Sequence, residues 1–422
     1  MQADKASNLR RQVVARLIPI RMRILKVTQS YYPFLDKGGP TVKVRALARG
    51  LAARGHQVTV LTADLGLDAE TARRLAAVRH DWGWSAEEDG VEAIYLRVRG
   101  RYRALTWNPG ALRWCRRNIG HYDVAHIYGM YDLLGPVAAH VCHGRGVPYL
   151  VEPMGMYRPI VRNIPLKWAY RWLIGDRILR HARYLVATSD QERQELESGG
   201  IAPAQIVVRR NGIEFPASLP APGAFRKQWN IAPDAKLVLF LGRLVKKKSP
   251  ELALEAFADW RGQTSANRSG ILVIAGPHED ENYRRTLEAY AAQLGLQDSV
   301  LFAGALYGEA KWAAYRDADV FVLPSQNENF GNTAGEAVAC GTPVVLTDCC
   351  GIAPLVQDRA GLAAEFSRAA FGQALARVLE DDDLRARLRA GCAEVARALT
   401  WDEPLSEMES LYSAAVAGAP RA

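Results

Sequence analysis

Short apolar segments alternate with amphipathic segments along this chain, and this alternation limits the possible fold more than any other feature. Residues 22–28 are typical of a buried β-strand, residues 41–54 of an amphipathic helix, and residues 58–61 of a second strand. A strand, a helix and a strand within about 40 residues form a βαβ unit, so the two strands are expected to run parallel. Further strands are predicted at residues 91–96, 124–128, 149–152 and 184–188.

The second half of the chain repeats this pattern. A strand at residues 236–241 is followed by a helix for which Ser249 is the predicted N-cap and Pro250 the first residue. More buried strands are predicted at residues 271–275, 300–302, 320–324 and 344–346. Between the halves, residues 216–223 contain three prolines and a glycine, which is typical of a linker. The sequence therefore predicts two tandem parallel-sheet α/β domains.

Composition excludes several classes of protein. The 422 residues are 49% hydrophobic and 23% charged, which argues against long disordered regions. Since apolar runs of about 18 residues are missing and Arg10, Arg11 and Arg16 interrupt the N-terminus, we expect neither a membrane-spanning helix nor a signal peptide. The six cysteines form no Cys-x-x-Cys pair. Together these features predict a cytoplasmic protein without a structural zinc site.

The net charge of +9 conceals a difference between the two halves. Residues 1–220 carry a net charge of +14, whereas residues 221–422 carry −5. Arginines and aromatic residues are concentrated at 97–117 and 158–183, and residues 160–174 have an amphipathic pattern with cationic and aromatic faces. This pattern favours contact with an anionic membrane surface, although ordinary surface arginines beside half-buried tryptophans explain it equally well. Nucleic acid is the rival polyanion, but no nucleic-acid-binding motif accompanies the charge.

Candidate site residues follow strands of the second half, because ligands of parallel sheets bind at the carboxyl ends of the strands. Glu328 and Glu336 flank a loop that follows strand 320–324 and leads into a helix. Gly331 permits close backbone approach, and the amides of residues 330–333 form an anion-binding cradle at the helix start. The alternative is that acidic residues at a helix N-terminus only stabilise the helix dipole.

A basic loop supplies the opposite charge. Arg243 follows strand 236–241 and Lys248 precedes the next helix, so both can reach a pyrophosphate, whereas Lys246 and Lys247 are interpreted as solvated. Gly39, in the loop after the first strand, allows a substrate to lie against the backbone. The pattern G-x-G-x-x-G is not present around it, so a dinucleotide site is not predicted there.

Two other candidates have a structural interpretation. Asp317 and Asp319 spell D-x-D, but they precede an apolar strand, which places their carboxylates at the opposite edge of the sheet from a ligand. His126 lies at the end of a strand, where a lone histidine is usually a packed or capping residue. A role as general base or acceptor-binding group is the minority interpretation.

Taken together, the motifs resemble those of the family-4 retaining glycosyltransferases with the GT-B fold, also called glycosyl transferases group 1. The resemblance extends over residues 22–415, and the motif with the most specific signal runs from Glu328-Asn-Phe-Gly-Asn to Glu336-Ala-Val-Ala-Cys-Gly-Thr-Pro-Val. The other matching segments are Gly-Gly-Pro at 38–40, 187–192, Arg-Asn-Gly-Ile at 210–213, 242–248 and 318–325.

The resemblance implies how the domains are organised. It predicts two Rossmann-like domains that face a cleft, with a C-terminal helix that crosses back to the first domain. The expected parts are an N-terminal extension (1–21), an acceptor-side domain (22–215 with 400–422), a linker (216–223) and a nucleotide-sugar-binding domain (224–399).

It also implies an activity, the transfer of a hexose from a nucleotide sugar with retention of configuration and no required cofactor. Arg243 and Lys248 would neutralise the departing diphosphate without a metal ion. Glu336 would hold the ribose and Glu328 the hexose, with catalysis resting on Glu328, Arg243 and Lys248. The other donor-binding residues would be Gly39, Phe330, Gly331, Asn332 and Thr333.

The sequence departs from the family pattern on the acceptor side. His126-Ile-Tyr128-Gly stands where many relatives have His-x-His-Gly, which makes His126 and Tyr128 the acceptor-side candidates. Pro153-Met154-Gly-Met156 replaces Pro-Arg-Gly-Met, and Ser249 replaces a glycine. The donor motifs are intact.

Four functions remain open from the sequence. The first is transfer to a lipid-linked or surface-polysaccharide glycan at the cytoplasmic face of an anionic membrane. The others are transfer to a small soluble acceptor, epimerisation or hydrolysis of a nucleotide sugar on the same fold, and nucleotide-sugar binding without catalysis. The expected partners are a nucleotide-sugar donor, a glycan or lipid-linked acceptor and the membrane surface, and not nucleic acid.

Overall fold

The computed structural model describes residues 21–35, 39–102, 105–158, 164–216, 218–262, 269–278 and 280–418. The chain divides into two compact units, with boundaries between Arg210 and Asn211 and between Thr400 and Trp401. Several predicted features lie partly or wholly outside the described residues: the N-terminal extension up to residue 20, the loop residues 36–38, residues 160–163 of the amphipathic segment, and residue 217 of the linker.

The first unit is built on parallel strands. Among the described residues its main sheet has nine strands in the order β11-β10-β9-β8-β1-β2-β5-β4-β3. β4 is antiparallel to both of its neighbours, and β6 and β7 form a separate antiparallel hairpin. The strands are β1 (Arg23–Val27), β2 (Gln57–Ala63), β3 (Val78–His80), β4 (Gly83–Glu88), β5 (Val91–Leu96), β6 (Gly100–Tyr102), β7 (Leu105–Trp107), β8 (Val124–Tyr128), β9 (Tyr149–Glu152), β10 (Tyr184–Ala187) and β11 (Ile206–Val208).

Helices connect these strands, and several begin at a side chain that caps the first turn. The Asp68 carboxylate accepts the Thr71 N–H at the start of the second helix, and Ser189 accepts the Glu192 N–H at the start of the seventh. The helices are α1 (Gly39–Ala53), α2 (Ala69–Arg74), α3 (Ala111–Asn118), α4 (Leu134–Arg145), α5 (Ile164–Tyr170), α6 (Asp176–His181) and α7 (Asp190–Ser198). A π-helical turn, Arg171–Gly175, joins α5 to α6.

The second unit has an entirely parallel sheet in the part of the chain that is described, with the order β14-β13-β12-β15-β16-β17. Its strands are β12 (Lys236–Leu241), β13 (Gly270–Ala275), β14 (Val300–Gly304), β15 (Val320–Leu323), β16 (Val344–Thr347) and β17 (Gly361–Ala364). Its helices are α8 (Ala224–Gln228), α9 (Pro250–Gly262), α10 (Glu281–Gln293), α11 (Gly308–Asp317), α12 (Asn332–Ala339), α13 (Ala353–Val356), α14 (Arg368–Glu380) and α15 (Asp382–Arg397).

Both faces of this second sheet are covered, which explains the continuous apolar sequence of its strands. Along β12, Leu237 and Leu239 pack into the apolar cluster on one face, and Val238 and Phe240 pack into the cluster on the other face. The alternation follows from the two-residue repeat of a strand. The polar loops are therefore left at the ends of the strands, where a site can form.

The last helix, α16 (Asp402–Ala417), belongs to the first unit. Leu405, Met408 and Tyr412 are buried in the apolar cluster that covers one face of the first sheet. The contact with α1 is close, since a Cβ atom at Gly50 would lie 2.5 Å from the Leu405 side chain. The prediction that a C-terminal helix returns to the first domain is thus confirmed.

The predicted fold class is confirmed, and each strand predicted from the sequence is present within a few residues. The division at Arg210 and Asn211 lies before the Pro-rich segment 216–223. The Ile213 N–H donates to the Leu399 carbonyl and the Gly223 N–H to the Asp317 carboxylate, both at 2.7 Å, and these bonds tie this part of the chain to the second unit. Among the described residues, the helices are too short or too polar to cross a membrane.

Candidate functional site

The basic loop after β12 begins with Arg243, which is exposed, and continues into a short 3-10 turn, Lys246–Lys248. The prediction that Ser249 caps α9 is wrong. Ser249 has a left-handed backbone with a φ angle of +47°, and its hydroxyl donates to the Lys246 carbonyl at 3.2 Å. This hydrogen bond closes the turn and leaves Lys248 at the start of α9.

The acidic loop after β15 is fixed by backbone pairing with the loop after β16. The Glu328 N–H donates to the Cys349 carbonyl at 2.9 Å, and the Gly351 N–H donates to the Glu328 carbonyl at 2.9 Å. The Ile352 N–H donates to the Phe330 carbonyl at 2.7 Å, and the Phe330 ring is buried. Phe330 therefore anchors the loop, and Glu328 keeps a defined position.

The two loops meet in an ion pair between the Lys248 ammonium and the Glu328 carboxylate. Their side chains are 16% and 18% exposed, so the pair is screened from bulk water but accessible from it. The structure thus brings together two residues, 80 positions apart in the chain, that the sequence analysis selected independently. A positive and a negative group side by side can bind a polar ligand that offers both an anion and hydroxyl groups.

Gly331 sets the direction of the next helix. Its φ angle is +105°, and a Cβ atom at this position would lie 3.0 Å from Ile352 Cγ2, so a larger residue would be strained. α12 begins directly after it. The N–H groups of Ala334 and Gly335 donate to the Gly331 carbonyl at 3.0 and 3.1 Å, whereas those of Asn332 and Thr333 have no partner within the helix because of their position in it. Asn332 accepts a hydrogen bond from Asn211 at 3.1 Å, and the buried Thr333 hydroxyl has no partner among the described residues.

Glu336, one turn into α12, is held at both carboxylate oxygens. Lys311 Nζ lies 2.9 Å from Oε1, and the Tyr315 hydroxyl donates to Oε2 at 2.9 Å. The Lys311 ammonium also lies 4.3 Å from the centroid of the Trp312 ring. Burial and the adjacent Glu336 raise the pKa of Tyr315 well above its usual value, so its hydroxyl remains a donor. The sequence analysis missed Lys311 and Tyr315, although their spacing of four places both on one face of α11.

An open pocket of about 500 Å³ lies at the carboxyl ends of β12, β13 and β14. Gly276 and Gly304 line it, and at its rim His278 Nε2 lies 2.7 Å from the Glu281 carboxylate. This is the strand edge from which Arg243 also emerges. The sequence analysis did not predict this pocket.

The D-x-D string lies before β15, at the amino ends of the strands. Asp317 accepts hydrogen bonds from the N–H groups of Gly223 and Phe225 at 2.7 and 2.8 Å, and Asp319 accepts the Leu237 N–H at 2.8 Å. Both carboxylates therefore have a structural role, because they hold neighbouring backbone segments through hydrogen bonds. In the described ranges, His, Cys, Asp and Glu side chains form no group of three that could hold a metal ion.

His126 and Tyr128, the acceptor-side candidates, lie inside the first unit. His126 Nδ1 is 2.8 Å from the Tyr412 hydroxyl and 2.9 Å from the Tyr128 hydroxyl, and the Lys26 ammonium donates to Tyr128 at 2.6 Å. All four side chains are buried. Their predicted role in acceptor binding stays a prediction.

The same buried cluster contains a carboxylate and further cations. Glu152 accepts a hydrogen bond from Arg209 at 2.8 Å and pairs with Lys43. Burial opposes its ionisation, but Arg209 and Lys43 lower the pKa of Glu152 below its usual value. Burial lowers the pKa of Lys26 to about 7 and that of Lys43 to about 8. We call Lys26, Lys43, His126, Tyr128, Glu152, Arg209 and Tyr412 the buried network.

Gly39 is the first residue of α1 and is exposed, while the adjacent Gly38 lies outside the described residues. Of the predicted site residues, the structure thus assembles those of the second unit around two loops and the start of α12. The predicted roles of these residues toward a donor stay predictions.

Comparison with known proteins gives a consistent result. Residues 223–394 match the model of the family described as glycosyl transferases group 1, and residues 38–212 match that of a glycosyl transferase 4-like domain. A D-inositol 3-phosphate glycosyltransferase of Thermomonospora curvata is 31% identical over 90% of this chain and 91% of its own length. The same enzyme of Geodermatophilus obscurus is 31% identical over 90% of this chain and 85% of its own.

Solved structures show the same fold at lower identity. Sucrose-phosphate synthase from Thermosynechococcus elongatus superposes with a TM-score of 0.73 at 22% identity, covering 94% of this chain and all of that one. The Anabaena protein HepE in complex with UDP-glucose gives 0.71 at 17% identity, covering 93% of this chain and all of HepE.

The two units and the C-terminal helix that returns to the first have the architecture of the GT-B fold. The relatives that are 31% identical over 90% of this chain are glycosyltransferases, and this chain is an enzyme of the same class. The chain belongs to the glycosyl transferases group 1 family.

Proposed function

We propose that this glycosyltransferase moves a hexose from a nucleotide-sugar donor to an acceptor with retention of configuration. The observation that carries the proposal is the convergence of the Lys248–Glu328 pair, the start of α12 and the doubly held Glu336 in the second unit. These groups match the chemical parts of a nucleotide sugar, which are a diphosphate, a ribose and a hexose. The UDP-glucose in the HepE complex supports this choice of donor class.

Charge explains how such a site would lower the barrier. Breaking the bond between sugar and phosphate leaves negative charge on the diphosphate, and Lys248 and Arg243 would stabilise it without a metal ion. Glu328 would bind the hexose, and Glu336 would accept hydrogen bonds from the ribose hydroxyls. In a retaining transfer the acceptor attacks from the face that the phosphate leaves, and the phosphate takes the proton of the acceptor hydroxyl.

The open pocket at the ends of β12, β13 and β14 would take the base of the nucleotide. It lies at the same strand edge as Arg243, and Gly276 and Gly304 in its lining contribute no side chains that would fill it. A base can stack and form hydrogen bonds in a pocket of this kind.

For the acceptor we propose a lipid-linked or surface-polysaccharide glycan intermediate at the cytoplasmic face of a membrane. The net charge of +14 over residues 1–220 and the clusters of arginine and tryptophan in this half support an anionic membrane as the setting. The protein would be cytoplasmic and bound to the membrane peripherally.

A soluble enzyme that acts on a small acceptor is the second candidate. The names of the relatives favour it, since the enzymes of Thermomonospora curvata and Geodermatophilus obscurus are D-inositol 3-phosphate glycosyltransferases. On this alternative the basic surface of the first half would have no role in catalysis.

The test is to incubate the protein with radiolabelled UDP-, GDP- and ADP-hexoses, with and without native membranes from cells that express it. We expect nucleoside diphosphate release that depends on membranes, with label in the lipid-soluble fraction. Label in a small soluble product would select the second candidate. Conversion or hydrolysis of the donor that is unaffected by any acceptor fraction would contradict transfer. NMR of the product linkage tests retention.

A further inference from the structure

The segment from α5 to the π-helical turn exposes large apolar side chains to an unusual degree. Trp172 is 80% exposed, Leu173 63%, Leu166 56% and Trp168 52%. Single exposed apolar residues are common on proteins, but four on one short segment concentrate apolar surface in one place, which is typical of an interaction site. We call these four residues the apolar face.

The polarity of this segment is the reverse of that in a water-exposed helix. Its inward side carries Arg171, which is buried with its guanidinium 2.7 Å from the Tyr157 hydroxyl and 3.2 Å from the Asp176 carboxylate. Tyr170 also points inward and donates to the Asp132 carbonyl at 3.0 Å. In a surface helix the apolar residues face the core. Here polar groups take that place, so the exposed apolar side chains lie opposite the face that packs on the protein.

The segment is anchored to the protein, so the apolar face has a fixed orientation. A Cβ atom at Gly175 would lie 3.2 Å from Met130 and 3.4 Å from the Tyr170 ring, which shows how closely the turn packs. The wider π-helical turn, Arg171–Gly175, contains both Trp172 and Leu173, the two most exposed members of the face.

We propose that the apolar face inserts into the surface of an anionic lipid bilayer and holds the first unit there. Tryptophan and leucine are the side chains that bury readily at the boundary between headgroups and acyl chains. Arg177 and Arg180 on α6 are exposed directly after the face, where they would meet anionic headgroups. Within the described part of the 160–174 segment Arg171 is turned inward, so in this proposal Arg177 and Arg180 supply the cationic side of the contact.

Charge also favours a bilayer over a second copy of the chain. A two-fold dimer through this face would bring Arg177 and Arg180 of both copies into one interface, and like charges at short distance destabilise an interface. An anionic surface instead complements both the arginines and the net charge of this half. The inference rests on the proposed function in one respect, since it supplies the membrane at which a lipid-linked acceptor would be met.

Cosedimentation with vesicles tests the inference. The full chain is mixed with vesicles of phosphatidylcholine alone or of phosphatidylcholine with phosphatidylglycerol, and the partition coefficient is measured for wild type and for Trp172→Ser combined with Leu173→Ser. We expect wild type to bind the anionic vesicles, and the double variant to lose about tenfold or more in partition because two large side chains no longer insert. The matched control is Val78→Ser, since Val78 is 58% exposed on β3 of the same unit, and it should bind like wild type.

Two results would overturn the proposal. One is wild-type protein that does not bind anionic vesicles at low salt. The other is a wild-type dimer in analytical ultracentrifugation that the double variant converts to a monomer while vesicle binding is unchanged, which would assign the face to a contact between copies. A thermal-shift measurement with nucleotide sugars on the same samples keeps the two claims separate. If a nucleotide sugar stabilises the protein but the protein does not bind vesicles, only the membrane docking is contradicted. If the protein binds vesicles but no nucleotide sugar stabilises it, only the proposed function is contradicted.

Discussion

Charged side chains gather near the carboxyl ends of parallel strands in both units, but the two units use them differently. In the first, Lys26, Glu152 and Arg209 belong to the buried network and are at most 1% exposed. In the second, the Lys248–Glu328 pair remains 16–18% exposed, and Lys311 and Glu336 are 22% and 19% exposed. The charged groups of the first unit are thus bonded to one another away from solvent. Those of the second unit are accessible, so a ligand can replace their present partners.

The comparison shows that the effect of losing one partner of an ion pair depends on how deeply the pair is buried. Inside the protein, loss of one partner leaves an uncompensated charge, so the buried network governs stability. Near the surface, water replaces a lost partner at little cost, so loss of one partner of the Lys248–Glu328 pair should leave stability nearly unchanged and act on the proposed ligand binding and catalysis. Variants that remove one charge from each region separate these two outcomes.

The largest effect is expected from Glu152→Gln in the buried network. Removing this carboxylate leaves Arg209 and Lys43 buried without a counter-charge, and the free energy of unfolding should fall by about 3–5 kcal/mol in urea denaturation. Glu394→Gln is the control, because it breaks an exposed pair with Arg359 (2.7 Å) and should cost less than about 1 kcal/mol. Equal losses in the two variants would show that the network does not depend on burial.

Lys248→Met should act on turnover and not on folding. We expect kcat to fall by about a hundredfold to a thousandfold, since the group proposed to stabilise the leaving diphosphate is removed. The free energy of unfolding should change by less than about 1 kcal/mol. Lys246→Met, in the same turn and exposed, is the matched control and should keep wild-type turnover. If both variants turn over like wild type, the donor-site assignment is incorrect.

The pH dependence of stability should reveal the buried lysines. Burial holds the pKa of Lys26 at about 7 and that of Lys43 at about 8, below their values in the unfolded chain. Between pH 7 and pH 9 the unfolded state therefore binds more protons, and stability should rise with pH by about 1 kcal/mol per pH unit for each lysine that titrates. Urea denaturation of Lys26→Met should show a smaller slope over this range, and Lys246→Met the wild-type slope. An unchanged slope in Lys26→Met would contradict a neutralised, buried Lys26.

Lys311→Met should produce the smallest change. Lys311 fixes one oxygen of Glu336, so its loss should raise KM for the donor about fivefold while kcat changes little. A 2′,3′-dideoxyribose nucleotide sugar offers no hydroxyls to Glu336, and with this donor the variant and wild type should have the same KM. A penalty that persists with the dideoxy donor would show that Lys311 acts elsewhere.

The sequence predicted those parts that depend on local patterns. Apolar runs identified the parallel strands, and position after a strand identified Lys248 and Glu328. It missed β3 and β4, which are short and largely polar and extend the first sheet in the antiparallel sense. It also missed the buried network, because Lys26 and Tyr412 are 386 residues apart and meet only through tertiary packing.

Helix orientation was the other feature that the sequence did not determine. Residues 160–174 have tryptophans and cations in an amphipathic pattern, and the usual assumption is that the cations face water. In the structure the Arg171 guanidinium donates hydrogen bonds to the Tyr157 hydroxyl and the Asp176 carboxylate inside the unit, and the Trp172 side chain is exposed. Which face is buried depends on partners that lie elsewhere in the chain.

The most direct test of the account is a thermal-shift titration with UDP-, GDP- and ADP-hexoses in the presence of a chelator, on wild type, Lys248→Met and Lys246→Met. At a concentration 100 times its dissociation constant, a ligand stabilises the folded state by about 2.7 kcal/mol. We expect one nucleotide sugar to raise Tm of wild type and of Lys246→Met, and we expect the increase to be lost in Lys248→Met. An equal increase in all three proteins would contradict a donor site at the Lys248–Glu328 pair.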